Sequence, residues 1–377
     1  MRTRNSYYVV LTLIFIATNC FKTSQLIAHH NHFHKAHVRP NSNQQSEKAK
    51  SSVNAPKKKV SLTGPRSDAF RPFSKTVSAR VDADVLVVES NGMPDHDMMV
   101  GIRSWQQQVP LPQPFVGDNA WRLPMKPQFA NQPISVLKKP LRGAIALAVN
   151  GVPIFCALNN RGEDTFLAGE LDHWGGHCGR GDDYHYHIAP VHLEDAVGIG
   201  NPIGYALDGY PILGYTDADG SVPSDLDEFN GHKDAHGNYH YHATKSFPYV
   251  NGGLKGKVTL RGDQIEQPRD SPVRPGQSPL KGATVTEFKR NKDRFDVTYE
   301  VAGKSGHVKY KILDDEQVEF VYQQPSGSSS TVVYRRGRIG GGDFFVAYLL
   351  GSIVVFGLLA TALIMRRNSK IRKEELK

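Results

Sequence analysis

The residues in this chain best placed to do chemistry are histidines that occur twice in the same arrangement. Tyr184-His185-Tyr186-His187 recurs as Tyr239-His240-Tyr241-His242, and one further histidine precedes each copy at equal distance, His177 and His232. Equivalent residues in this stretch are 55 apart. Along an extended strand alternate side chains fall on opposite faces, so His185 and His187 share one side, as do His240 and His242, while the tyrosines take the other. Neutral imidazole ligates copper and zinc, and an unperturbed histidine has mostly lost its proton near neutral pH. Three imidazoles per copy, repeated in register, read as ligand sets, forming either one shared site or two related ones, because packing alone does not require histidine at the same three places twice. The competing reading is a hydrogen-bonded Tyr/His lattice that only joins two sheets.

Several neighbours could complete such sites. Asp172 and Asp227 recur with the histidines and could accept the second ring N–H of a ligand, or serve as helix-start charges. His96 and Asp95 follow a turn at Asn91-Gly92 and could add to a coordination shell. Cys178 adjoins His177 and could be a thiolate ligand. With Cys20 inside an N-terminal leader, Cys156 and Cys178 are an even pair, which in an oxidising compartment suggests a disulfide.

The elements that must position these side chains are themselves duplicated. Residues 145–155 resemble 203–213, now at an offset of 58, so one connection is three residues longer in the first copy. Asn150-Gly151 and Asp208-Gly209 lie between apolar runs, as type I′ hairpin turns require. Leu171 with Trp174, and Leu226 with Phe229, have the spacing of one helical turn, and Gly176 and Gly231 suit the residue that ends a helix. The expected half is therefore strand, tight turn, strand, short helix, loop and Tyr-His-Tyr-His strand, with halves at about 143–190 and 201–250. The fold class is mainly β: an internally duplicated domain with short helices and long loops.

These motifs together, with Asn-Gly-Val-Pro-Ile at 150–154, Ala-Leu-Asp-Gly-Tyr-Pro-Ile at 206–212 and Asn-Gly-Met-Pro-Asp-His at 91–96, resemble the YHYH-domain family over roughly residues 83–260. The resemblance implies a domain of secreted or envelope proteins and carries no activity with it.

Around this domain the chain divides by composition. Residues 1–28 have basic residues before a short apolar run, the form of a secretory signal peptide. Residues 29–80 are rich in His, Lys, Ser and Pro and read as a disordered tether. The duplicated domain spans 81–261, opening at the apolar strand Val85–Val88 and continuing through a proline-rich passage. Residues 262–282 read as a linker and 283–340 as a small β-meander of about four strands acting as a spacer. Residues 344–365 are unbroken apolar, long enough at 1.5 Å per residue for one transmembrane helix. The basic tail 366–377 then places the C-terminus in the cytoplasm and the folded domains outside, a single-pass type I protein of the cell membrane.

Charge narrows the partners. The chain carries 46 Lys and Arg against 37 Asp and Glu, yet between Asp82 and Arg261 there are 21 acidic and 13 basic residues. An acidic folded face excludes nucleic acid and favours cations. Three functions fit: a membrane-anchored metal binder using copper or zinc, a metal-dependent hydrolase or oxidoreductase, or an adhesion or carbohydrate-binding module that uses exposed Tyr and Trp on a protein or glycan partner.

Overall fold

A computed structural model describes residues 62–137 and 140–336. The expected signal peptide, most of the expected tether and the apolar run 344–365 lie outside the described residues. Within them no helix is long and apolar enough to cross a membrane.

The described chain is mainly β. Strands β1 (Val77–Asp82), β2 (Val85–Ser90) and β3 (Trp121–Pro124) form an antiparallel sheet in the order β1-β2-β3. β4 (Phe129–Ser135) pairs with the later β13 (Gly253–Gly256). Between them come β5 (Ala144–Ala148), β6 (Pro153–Phe155), β7 (Gly176–Cys178), β8 (Tyr184–Tyr186), β9 (Gly204–Ala206), β10 (Pro211–Leu213), β11 (Gly231–Lys233) and β12 (Tyr239–His242). A hairpin of β14 (Leu260–Arg261) and β15 (Gln264–Ile265) leads to a five-stranded meander: β16 (Thr284–Asn291), β17 (Arg294–Val301), β18 (Lys304–Ile312), β19 (Gln317–Gln323) and β20 (Ser329–Arg335).

The duplication is built into the eight-stranded sheet, whose order is β11-β12-β10-β9-β5-β6-β8-β7. Each half is an antiparallel hairpin (β5-β6, β9-β10), then a parallel strand (β8 on β6, β12 on β10), then an antiparallel edge (β7, β11). The halves meet at β5 and β9, where Ala146 faces Ala206, Leu147 faces Tyr205 and Ala148 faces Gly204. With equivalent residues 58 apart, Leu147 opposes its own equivalent and the flanking pairs exchange, so a pseudo-twofold axis passes between Leu147 and Tyr205. Continuous burial of Ile145 to Val149, all at 0 %, is what two covered faces demand of a central strand.

Several expectations are corrected. The turns at Asn150-Gly151 and Asp208-Gly209 are three-residue loops rather than type I′ turns. Gly151 N–H bonds Ala148 O and Ala148 N–H bonds Val152 O, with Gly209, Ala206 and Tyr210 repeating the pattern. Only the glycines are left-handed, φ +78° and +90°, as a type I turn closed by a G1 bulge requires.

The short helices expected at 171–175 and 226–230 are turns. Asp172 and Asp227 instead accept the N–H groups two and four residues on, Trp174 and Gly176, Phe229 and Gly231, because a short acidic side chain competes for those donors and favours a turn. His177 and His232 consequently lie inside strands. The left-handed residues are Gly175 and Asn230, whereas Gly176 and Gly231 are needed for space, an added Cβ meeting the Tyr184 and Tyr239 hydroxyls at 2.4 and 2.1 Å.

The tether ends before residue 80. Residues Ser67–Phe73 form a 3₁₀ segment that buries Phe70 against Tyr205, ring centroids 5.9 Å apart. Nor are 262–282 and the meander a linker and a spacer. Arg274 is 1 % exposed and grips Asp182 at 2.7 and 2.8 Å. Val285 exchanges backbone bonds with Gly101 and Ile102, and the Tyr310 hydroxyl bonds Pro110 O at 2.7 Å. The period-two pattern was sufficient to show strands, while the proline content concealed that the connecting segment is packed.

Candidate metal centres

Pairing register places the histidines. His177 stands directly opposite His185 across β7-β8, and His232 opposite His240 across β11-β12; His187 and His242 lie two residues further along on the same face. Each triad therefore gathers on one side of a hairpin. Ring centroids are 4.8–5.0 Å apart in the first triad and 4.6–5.1 Å in the second. The opposite face carries the tyrosines, tied to acids and an amide of the turns: Tyr184 to Asp172 at 2.8 Å, Tyr239 to Asp227 at 3.0 Å, Tyr186 to Asn150 at 3.0 Å and Tyr241 to Asp208 at 2.6 Å.

The second ring nitrogen of five of the six histidines meets an acceptor. His185 Nδ1 bonds Asp183 O at 3.0 Å, His187 Nδ1 bonds Cys156 O, His240 Nδ1 faces Asn238 O at 3.4 Å and His242 Nδ1 bonds Gly214 O at 3.0 Å. His232 Nδ1 bonds the Asp225 carboxylate at 2.8 Å. A carbonyl or carboxylate only accepts, so the proton sits on Nδ1 and the Nε2 lone pair is free.

Those lone pairs converge. His177 and His187 Nε2 are 3.1 Å apart, His232 and His240 Nε2 3.0 Å, His232 and His242 Nε2 3.2 Å. In the second triad Asp217 Oδ1 joins them, 3.0 Å from His240, 3.3 Å from His232 and 3.4 Å from His242. A proton on a single Nε2 would satisfy one such contact and leave the others repulsive. A cation at the centre satisfies all of them: a tetrahedron with edges of about 3.2 Å has its centre about 2.0 Å from each corner, the length of zinc bonds to imidazole nitrogen and carboxylate oxygen.

Burial favours the neutral form of four of these rings. Burial, then His187 and His185, hold His177 well below the ordinary histidine range. Burial with His185 beside it pushes His187 down to about 3, and burial takes His242 to about 4 against the opposing bond to Gly214. His240 is lowered by burial despite Asp217.

The groups able to hold a metal ion among the described residues are His177, His185 and His187, and Asp217, His232, His240 and His242. All six histidines read from the sequence are thus brought together, in two sets. Five strand steps separate β8 from β12, about 24 Å at 4.8 Å per step, which rules out one shared site.

The other candidates fall elsewhere. Asp172 and Asp227 serve the tyrosines and turns and reach no histidine. His96 lies on the tyrosine face, its Nε2 2.7 Å from the Tyr186 hydroxyl and its ring stacked on Trp174 at 4.6 Å; Asp95 is exposed there. Cys178 alternates with His177 and points into the core, where burial raises its thiol well above the usual range. Cys156 and Cys178 are both free, because β8 runs between β6 and β7 and two strand spacings, about 9.6 Å, exceed the Cα separation a disulfide spans.

Asp217 is the residue that sequence reading missed. The signal was present in the repeat: with the offset of 58, Asp217 is the equivalent of Asn159, and both open the same turn, Asn159 N–H to Glu163 O and Asp217 N–H to Ser221 O, each at 2.9 Å.

No curated protein and no solved structure matches the chain. The family finding rests on the duplicated sheet itself: residues 120–223 match the family model described as YHYH protein, a segment that holds the first triad and Asp217 and ends before His232, and the chain therefore carries a YHYH domain.

Proposed function

We propose that this protein binds transition metal ions, copper or zinc, at two separate sites of its duplicated YHYH domain. One observation carries the reading: five of the six histidines have Nδ1 facing an acceptor, while Nε2 atoms stand 3.0–3.2 Å apart, His177 with His187 in one half and His232 with His240 and His242 in the other. Nitrogen-rich sets of this kind suit copper and zinc alike. We place the domain outside the cytoplasm, anchored by one span, on the strength of the apolar run 344–365 and the basic residues after it. The tyrosines of both Tyr-His-Tyr-His strands, with Trp105 and Trp121, are covered, so an adhesive aromatic face would fall to half-buried rings such as Trp174 and Tyr215.

The test is elemental analysis of the full-length protein, purified without an affinity tag. It is compared with the His185→Ala/His187→Ala variant, the His240→Ala/His242→Ala variant and the variant carrying all four changes. Each double variant should lose about one equivalent of metal and the quadruple variant about two, differences to which the histidine tract at 29–37 contributes equally. Unchanged metal content in the quadruple variant refutes the reading.

A further inference from the structure

The two centres are equivalent by duplication but not in their fourth corner. In the second, Asp217 Oδ1 lies within 3.0–3.4 Å of all three Nε2 atoms. In the first, Asn159 occupies the equivalent position and its amide is consumed elsewhere. Its Oδ1 accepts from Arg161 N at 2.9 Å and Glu163 N at 3.0 Å, and its Nδ2 donates to Glu163 at 3.0 Å and Glu170 at 3.2 Å. These partners, Arg161, Glu163 and Glu170, stand where the second copy has Asp219, Ser221 and Asp225, so a change of side chains at equivalent positions gives Asn159 partners of its own. No fourth protein ligand joins His177, His185 and His187 among the described residues.

Exposure does not divide the sites: His185, His187, His240 and His242 are all buried, and His177 and His232 are both half-buried, so the difference lies in the fourth corner. Zinc-type sites with four protein ligands are closed and structural; those with three keep a position for water or substrate.

We propose that the two sites have parted in role. The Asp217 site is a complete four-ligand centre that holds its ion for structure. The His177/His185/His187 site keeps an exchangeable position that takes a small monodentate ligand, water or hydroxide at rest and a small anion in competition with it. This rests on the metal reading above. A bound cation there would lower the pKa of the coordinated water, the property that hydrolytic metal sites use.

Full-length protein loaded with Co(II) and titrated with sodium azide tests the proposal, since azide entering the coordination sphere changes the visible d–d spectrum. In the His240→Ala/His242→Ala variant, which keeps the first triad, azide should alter the cobalt spectrum saturably. In the His185→Ala/His187→Ala variant, which keeps the Asp217 site, it should not. A single substitution, Asp217→Ala in otherwise unchanged protein, guards against misfolding of the double variants: the azide-responsive cobalt should rise about twofold, from one centre to two, while Asn159→Ala leaves it unchanged. An azide response at the Asp217 site equal to that at the first triad, or none at either loaded site, overturns the proposal. Failure of both triads to take up cobalt beyond the quadruple histidine variant overturns the metal reading instead.

Discussion

Replacing Tyr241 by phenylalanine separates the work of the two faces of the Tyr-His-Tyr-His strand. The Tyr241 hydroxyl donates to the buried Asp208 carboxylate at 2.6 Å and accepts the Lys255 N–H at 2.7 Å; Asp208 retains Gly256 N at 2.8 Å and Tyr210 N at 3.2 Å. The ring is kept, so no cavity forms. A hydrogen bond to a charged group contributes about 1.5–3 kcal/mol and an N–H left without a partner costs about 1–3 kcal/mol, giving an expected loss of about 3–5 kcal/mol. Burial already raises the Asp208 carboxyl from 3.8 to about 6, opposed chiefly by the Tyr241 donor. A group whose folded value lies above its unfolded value contributes fully in acid and loses that contribution as pH rises through the folded value. Removing the hydroxyl raises Asp208 further, so the deficit must be larger at pH 7.5 than at pH 5. Urea denaturation at both pH values, with metal analysis of the same samples, reads all three quantities. A loss below about 1 kcal/mol, or loss of metal with stability intact, refutes the reasoning. The equivalent Tyr186→Phe change breaks bonds to neutral partners, Asn150 at 3.0 Å and His96 at 2.7 Å, and should cost about 1–2 kcal/mol.

Three further outcomes follow from packing. Arg274→Met leaves the Asp182 carboxylate buried without its partner, so the urea midpoint should fall by the equivalent of about 3–5 kcal/mol. Gly176→Ala drives a Cβ against the Tyr184 hydroxyl and, at 2.8 Å, the His185 carbonyl; elemental analysis should show the first-triad ion lost and the Asp217-site ion retained. Alkylation under denaturing, non-reducing conditions should label both Cys156 and Cys178, read by peptide mass, because neither is paired.

What the sequence disclosed was the part carried by side-chain identity. The six histidines, the two hairpins and the strand direction of their tyrosines all follow from a repeat with fixed spacing, and the structure unites those residues. What it concealed was carried by the backbone. Asp172 and Asp227 look like helix starts, yet the same carboxylate that caps a helix closes a turn when two strands compete for the chain. Cys156 and Cys178 look like a pair until β8 is seen to run between them. Proline in 262–282 signals irregular chain, and irregular chain can still be packed, as the buried Arg274 shows.

The ligand supports make the same point in stronger form. Four of the six Nδ1 groups face backbone carbonyls, of Asp183, Cys156, Asn238 and Gly214, and a carbonyl is available from any residue type. That is why Cys156 in one half is glycine in the other, and Asp183 is asparagine, without disturbing ring orientation. The orienting shell of each site is thus a property of the duplicated sheet and tolerates change in its sequence. The fourth corner has no such protection, because only a side chain can fill it. Asp217 against Asn159 is a carboxylate against an amide at one turn, so on the metal reading proposed above the two centres differ at that corner while both triads stay in place.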